Sequence, residues 1–346
     1  MKKKDNYKQL KKIARIINSI SCFIMLLIII FLLVRYDVFQ EKYTIINQEY
    51  HDPLTANYNT ASLDNSKTNI AIKYGYELFQ NTPKHIGPNN GKDEMVYAGN
   101  NLSCTNCHLQ AGTKPYSGLL IGIINRFPQF RGRENKMGII EERINGCMER
   151  SMNGKKLPID GEEMKAFVSY LSWLSRYAPE DGKLKGVGYA SIEIPNRVVN
   201  LDRGASIFKT KCSVCHGIDG KGIKLNNSPV YQYPPLWGED SFNNGAGMTR
   251  VITAAQFIKS NMPFGATYEN PLLTDEEAYD VAGYINQQER PLKSNPENDF
   301  PDLKRKPVST PYPPYADDFS IQQHQMGPFQ PIMDYYMLKH GMKKTK

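Results

Sequence analysis

The chain has 346 residues and a formal net charge of +8, but its first 15 residues hold six lysines and one arginine against Asp5 alone, so +6 of the +8 lies there and the rest carries +2. That placement removes the case for nucleic acid or an acidic partner, which would need basicity spread over the folded part. About 310 residues follow the first apolar stretch, room for two modest domains.

Residues 1–15 read as a cytoplasmic basic segment. Ile16 to Val34 then runs 19 residues without a charge, and a hydrocarbon core needs about 20 apolar residues as helix. No small-residue cleavage site follows Val34, because the chain continues as Arg35-Tyr36-Asp37. The segment 16–34 is therefore expected to be an uncleaved single-pass anchor. Cys22 is not a lipoprotein cysteine, because the apolar run follows it instead of preceding it. Lysines on the N-terminal side keep that end in the cytoplasm. The remainder is then expected in the periplasm, at the outer face of the inner membrane. Residues 35–60 read as a spacer.

Two long segments, 61–190 and 191–290, share one pattern. Each holds a CxxCH, Cys104-Thr-Asn-Cys107-His108 and Cys212-Ser-Val-Cys215-His216. This is the attachment pattern for haem c: two thiols bond the porphyrin and the histidine takes the iron. A single CxxCH could be a zinc half-site or a redox dithiol, but two within one repeat predict two covalently bound haems. Before each motif stands a matching helix, Gly75-Tyr-Glu-Leu-Phe79 and Gly204-Ala-Ser-Ile-Phe208. After each comes another, beginning at Glu162-Glu-Met and Glu276-Glu-Ala, which align without gaps to Leu171 and Ile285. Helical periodicity with acids in the first turn supports both. The fold class expected is all-α, two class I cytochrome c-like domains in tandem.

The distal iron ligands differ between the repeats. Met262, in Asn261-Met262-Pro263, lies 14 residues before Glu276; the residue 15 before Glu162 is Cys147. Cys147 lacks a disulfide partner, since four cysteines are claimed by haem and Cys22 sits in the apolar run. An idle thiol in an oxidising compartment is a liability. Iron ligation by His108 with Cys147 and by His216 with Met262 is therefore expected. Met148, Met152 or Met137 are rivals at the first site, and Met248 at the second. Thiolate lowers a haem's potential where Met/His ligation raises it, so the two centres are unequal. Around Cys147, from Arg126 to Lys156, eight basic residues oppose four acids. Arginine forks suit oxyanions, although haem propionates and local glutamates compete for them.

The stretch Ala178-Pro-Glu-Asp to Arg197-Val198 reads as a linker rich in Gly and Pro. The tail 291–346 carries Pro291, Pro296, Pro301, Pro307, Pro311, Pro313 and Pro314 and should make no long helix. His51, His85, His324 and His340 have no motif and read as surface residues.

From about Tyr74 to Tyr335 the sequence resembles the dihaem c-type thiosulfate dehydrogenases, some of which work as tetrathionate reductases. The likeness is carried by both CxxCH motifs, by Arg143-Ile-Asn-Gly-Cys147-Met-Glu-Arg-Ser151-Met-Asn-Gly, and by the tail segments KPVSTPYPPYADDF and QHQMGPFQPI. The resemblance implies His/Cys ligation at the first haem, with Cys147 ligating or leaving the iron during turnover. It implies that Arg133, Arg143 and Ser151 line the thiosulfate site, and that the second haem exchanges electrons with an external partner, such as a small cytochrome c or a membrane oxidoreductase. It also implies that the tail wraps the domains. Some members exchange the distal methionine with a neighbouring lysine; here the neighbour is Asn261 and the nearest lysine is Lys259, which puts that exchange in doubt.

Joining two thiosulfates to tetrathionate releases two electrons, which two haems can hold. Each thiosulfate is a dianion, so a pair at about 4 Å repels by roughly 4 to 16 kcal/mol between bulk water and a partly screened site. Fixed cations at Arg133, Arg143 and Lys155 would offset this. A thiolate also offers a place to hold one thiosulfate while the second attacks. Three rivals remain: a dihaem electron carrier without its own substrate, a SoxA-like subunit that conjugates thiosulfate to a carrier protein, and a dihaem peroxidase.

Overall fold

The computed structural model describes residues 2–46 and 51–345, with side chains of the first helix from Leu10 to Tyr36. It falls into two units, 1–51 and 52–346. The first is one helix, α1 (Lys2–Ile46). Its stretch Leu10–Tyr36 is exposed throughout and is long and apolar enough to cross a membrane. The helix does not stop at Val34, because Arg35 to Ile46 contains neither proline nor glycine to end it.

The expected spacer 35–60 is thus not one segment. Residues 35–46 continue α1, and 47–50 lie outside the described residues. Residues from Asp52 onward fold with the second unit. There Tyr58 meets the Trp173 ring edge-on at 5.6 Å, and Arg176 donates to the Asn57 carbonyl at 2.8 Å.

The second unit holds both repeats and the tail. Its first repeat runs through α2 (Lys67–Gln80), α3 (Thr82–Ile86), α4 (Ile140–Met148) and α5 (Glu162–Leu174). The second runs through α6 (Leu201–Ile207), α7 (Ser213–His216), α8 (Val251–Asn261) and α9 (Asp275–Asn286). In each repeat the first and last helices cross, α2 on α5 and α6 on α9. The crossings match residue for residue. A Cβ at Gly75 would stand 2.0 Å from the Ala166 carbonyl oxygen, and one at Gly204 would stand 2.3 Å from that of Asp280. Only glycine lets the backbones approach so closely. One turn on, Phe79 meets Tyr170 with ring centroids 5.8 Å apart, and Phe208 meets Tyr284 at 5.6 Å. Asp275, Glu276 and Glu277 fill the first turn of α9, whose N-cap Thr274 accepts from the Glu277 amide.

Two short antiparallel ribbons interrupt the helical pattern. β1 (Gln129–Arg131) pairs with β2 (Lys136–Gly138), and β3 (Ile223–Lys224) with β4 (Tyr231–Tyr233). The first ribbon presents Arg133 and Glu134 in its turn. The linker expected between the domains forms no element, yet it is pinned: Tyr116 and Gly118 donate their amides to the Gly186 and Gly188 carbonyls at 2.7 and 3.0 Å.

The tail contains α10 (Ile321–Met326) and α11 (Gln330–His340). α11 is 11 residues, an ordinary length, and places Pro331 in its first turn, where the missing N–H costs nothing. Phe329, Ile332 and Tyr336 join the core of the second repeat. His324, expected at the surface, is buried. Its Nδ1 donates to the Val308 carbonyl at 2.6 Å, its Nε2 meets Asp317 at 2.9 Å, and Tyr315 stacks on its ring at 3.6 Å.

Candidate functional site

Two cavities lie beside the two CxxCH motifs. The smaller, about 110 Å³, is lined by Cys104, Cys107, His108, Arg143, Cys147 and Ser151 among others. The larger, about 630 Å³, is lined by Cys212, Cys215, His216 and Met262, and also by Cys107 and Gln110 of the first motif. The two attachment segments therefore share a wall.

Both motif histidines are set up alike. Nδ1 of His108 lies 2.7 Å from the Gly118 carbonyl oxygen, and Nδ1 of His216 lies 2.8 Å from that of Pro234. A carbonyl only accepts, so each Nδ1 carries the proton and each Nε2 presents its lone pair, the tautomer a metal ligand needs. Among the described residues no group of three His, Cys, Asp or Glu forms a metal cluster. Two thiols and a histidine with its Nε2 free at each motif are the donor set of haem c attachment. Burial pushes the thiols of Cys104 and Cys107 up to about 12.

Cys147 goes the other way. Burial works against its ionisation, but the Arg143 guanidinium beside it prevails and the thiol is brought down to about 6. Arg143 Nη1 donates to the sulfur at 2.6 Å. The two residues stand one turn apart on α4, so their side chains share a face. Ser151 follows one turn later and lines the same cavity. Cys147 is the penultimate residue of α4, and Met262 is the C-cap of α8. The two repeats thus offer their sulfur from the C-terminal end of the corresponding helix. The rivals Met148 and Met152 also line the first cavity, whereas Met137 is exposed. Met248 lines the second along with Met262. Lys259 pairs with Asp275 at 2.9 Å, and Asn261 donates to the Tyr116 carbonyl at 3.1 Å.

Arg133 is not among the residues lining the cavity of Cys147. Its Nη1 donates to Asp299 at 2.5 Å, to the Gly245 carbonyl at 3.1 Å and to the Tyr312 hydroxyl at 3.3 Å. Of the four residues expected at the substrate site, the structure brings Arg143, Cys147 and Ser151 together and leaves Arg133 behind them. Lys155 lies over the Tyr97 ring at 5.1 Å.

Three residues near this site escaped the sequence reading. Arg250, the N-cap of α8, lies near Arg133 and Arg143, and burial lowers it to about 10. Tyr189, from the linker, lies near Cys107, Arg143 and Cys147, and burial raises its hydroxyl. Asp299, in the tail, gathers Arg133 and Arg150. No local signal marks any of them; each comes from a segment remote from 126–156.

Comparison with known proteins agrees with this arrangement. A domain described as SoxA/TsdA, cytochrome c domain, matches residues 94–179, and one described as cytochrome c matches residues 201–289. A thiosulfate dehydrogenase of Psychrobacter arcticus is 39% identical over 241 residues, 70% of this chain and 70% of the relative. The chain belongs to the thiosulfate dehydrogenase family. Within the family, the enzyme of Thiomonas intermedia is 40% identical over 220 residues, 64% of this chain and 66% of its own length. A solved thiosulfate dehydrogenase from Marichromatium purpuratum superposes with a TM-score of 0.62 at 33% identity, covering 68% of this chain and 50% of that one. As in other family members, the two tandem cytochrome c domains carry two covalently bound haem c groups.

Proposed function

We propose that this chain oxidises thiosulfate at the cavity of Cys147, joining two thiosulfates into tetrathionate and running the reverse reaction under reducing conditions. In the forward direction one S–S bond forms between the two sulfane sulfurs, two electrons leave and no proton is needed. Bound haem supplies a one-electron acceptor at each motif, and two acceptors match the two electrons. The rest falls to the polypeptide. His108 and Cys147 would hold the haem iron at the first motif, and His216 and Met262 would hold it at the second. Arg143 holds Cys147 as thiolate and turns its remaining N–H groups toward an incoming dianion. The Ser151 hydroxyl offers a further donor in the same cavity. The second motif passes electrons on to a redox partner. The N-terminal helix anchors the chain in the inner membrane, with both motifs in the periplasm.

One observation carries this reading: the contact between Arg143 and the Cys147 sulfur inside the cavity of the first CxxCH. An electron carrier without its own substrate has no use for a thiolate under a cation. The test is thiosulfate-driven reduction of the purified protein. It should be rapid in the wild type and largely lost in Cys147→Gly, with both haems still attached. A wild-type rate in that variant removes the reading.

A further inference from the structure

Asp299 lies in the tail, far in sequence from either motif, yet it is buried to 3% exposure and has four cationic or hydroxyl partners. Arg133 Nη1 donates to its Oδ2 at 2.5 Å, Arg150 Nη2 to its Oδ1 at 2.6 Å, and the Tyr312 hydroxyl to Oδ2 at 2.7 Å. Lys293 Nζ stands 3.7 Å from Oδ1. A buried carboxylate with such partners is fully ionised, held at about 2 by Arg150, Arg133 and Tyr312 against its burial.

The two arginines are not arbitrary. Arg150 follows Cys147 by three residues, and its Nη1 donates to the Gly146 carbonyl at 3.2 Å. The guanidinium lies so close to the backbone that a Cβ at Gly146 would stand 3.1 Å from it. The Cys147 carbonyl accepts from the amides of Arg150 and Met152 at 3.2 and 3.0 Å. A chain of contacts thus runs from Asp299 through Arg150 to the peptide that carries the sulfur. On the other side, Arg133 is fixed at both ends: its side chain on Asp299, and its carbonyl by the Phe300 amide at 2.8 Å. The Arg133 guanidinium also lies over the Phe300 ring at 4.9 Å. Among the described residues, the hydrogen bonds of the Arg133 guanidinium leave from Nη1.

We infer that Asp299 is a positioning residue for the sulfur-oxyanion site, orienting Arg133 and Arg150 around the C-terminal end of α4 and through them Cys147. The inference rests on the proposed thiosulfate chemistry. Two roles of a carboxylate among arginines predict opposite signs. If Asp299 positions, its loss frees the arginines and weakens substrate binding. If it merely offsets charge, its loss leaves the site more positive and tightens the hold on a dianion.

The experiment is Asp299→Asn in the full-length dihaem protein. The expected result is a thiosulfate KM raised about tenfold, the size of one lost charge-assisted hydrogen bond. The iron–thiolate spectroscopic signature of the first centre should shift while the potential of the second stays put. Hydrogen exchange at the Phe300 amide should accelerate, with α2 and α5 still protected. An unchanged or lowered KM overturns the inference. If Asp299→Asn does not accumulate, Tyr312→Phe decides by the same readings: a raised KM supports positioning, and an unchanged or lowered one refutes it. Cys147→Gly separates the two failures. Should that variant lose thiosulfate oxidation while Asp299→Asn keeps the wild-type KM, only the positioning role falls.

Discussion

Arg143 donates to the sulfur of Cys147 at 2.6 Å, from one turn earlier on the same helix. The pair is rigid because both residues ride one element, and because Glu142, in the helix's first turn, accepts from the Ile139 amide at 3.2 Å and from Lys136 at 2.6 Å. Replacing Arg143 by Gln keeps a donor and removes the charge. A hydrogen bond to a charged group is worth about 1.5–3 kcal/mol, so thiosulfate oxidation should fall by roughly 10- to 150-fold. Stopped-flow reduction by thiosulfate would read this, and a rate within twofold of wild type would count against the pair.

Gly75 against the Ala166 carbonyl predicts a stability effect with no change in chemistry. Gly75→Ala forces α2 away from α5, an overpacking that typically costs about 1–3 kcal/mol. The melting temperature should drop by several degrees, and Gly204→Ala should do the same for the second repeat. A melting curve that does not move would mean that the crossing yields more easily than its geometry implies.

Met262→Ala separates relay from catalysis. A neutral thioether raises the potential of the centre it ligates, so its removal should lower the second centre's potential and slow electron delivery to an external acceptor. Thiosulfate binding at the Cys147 cavity should persist. Redox titration beside a thiosulfate titration checks both halves.

Asp299 gives a pH dependence of defined sign. Its carboxyl is held at about 2 in the fold, below the ordinary value near 3.9. A depressed folded-state value contributes stability above the unfolded one and loses it as pH falls through about 2. The contribution is roughly 2–3 kcal/mol at neutral pH. Denaturant melts between pH 5 and 2 should show wild-type stability falling over that window, and Asp299→Asn should flatten that part of the curve.

What could be read in the sequence follows what is local. The CxxCH motifs, the Gly–Phe and Glu–Glu helices, and the fourfold spacing of Arg143, Cys147 and Ser151 are short-range patterns, and each has a direct counterpart in the fold. The position of Arg133 did not follow from its spacing to Cys147, because it lies in the turn of a ribbon and not on α4. Its partner is supplied by the tail, some 166 residues on. His324 gave no sign of burial, because its partners Val308, Tyr315 and Asp317 have no pattern until the tail folds back on the second repeat. Where proline sets composition, a helix that takes a proline into its own first turn is easily overlooked, as α11 takes Pro331.

The strap that carries Asp299 leaves the ribosome after both repeats. Synthesis up to about residue 290 already yields every cysteine, both motif histidines and Met262, but Arg133 and Arg150 then lack Asp299, and Arg150 is left with Glu134 at 3.9 Å. Loss of the tail after Pro291 would leave a product with both attachment motifs intact, its active-site wall unbraced and the second repeat missing Phe329, Ile332 and Tyr336 from its core. For this chain, pigment is therefore a poor measure of competence, and intact mass at the C-terminus is the better one.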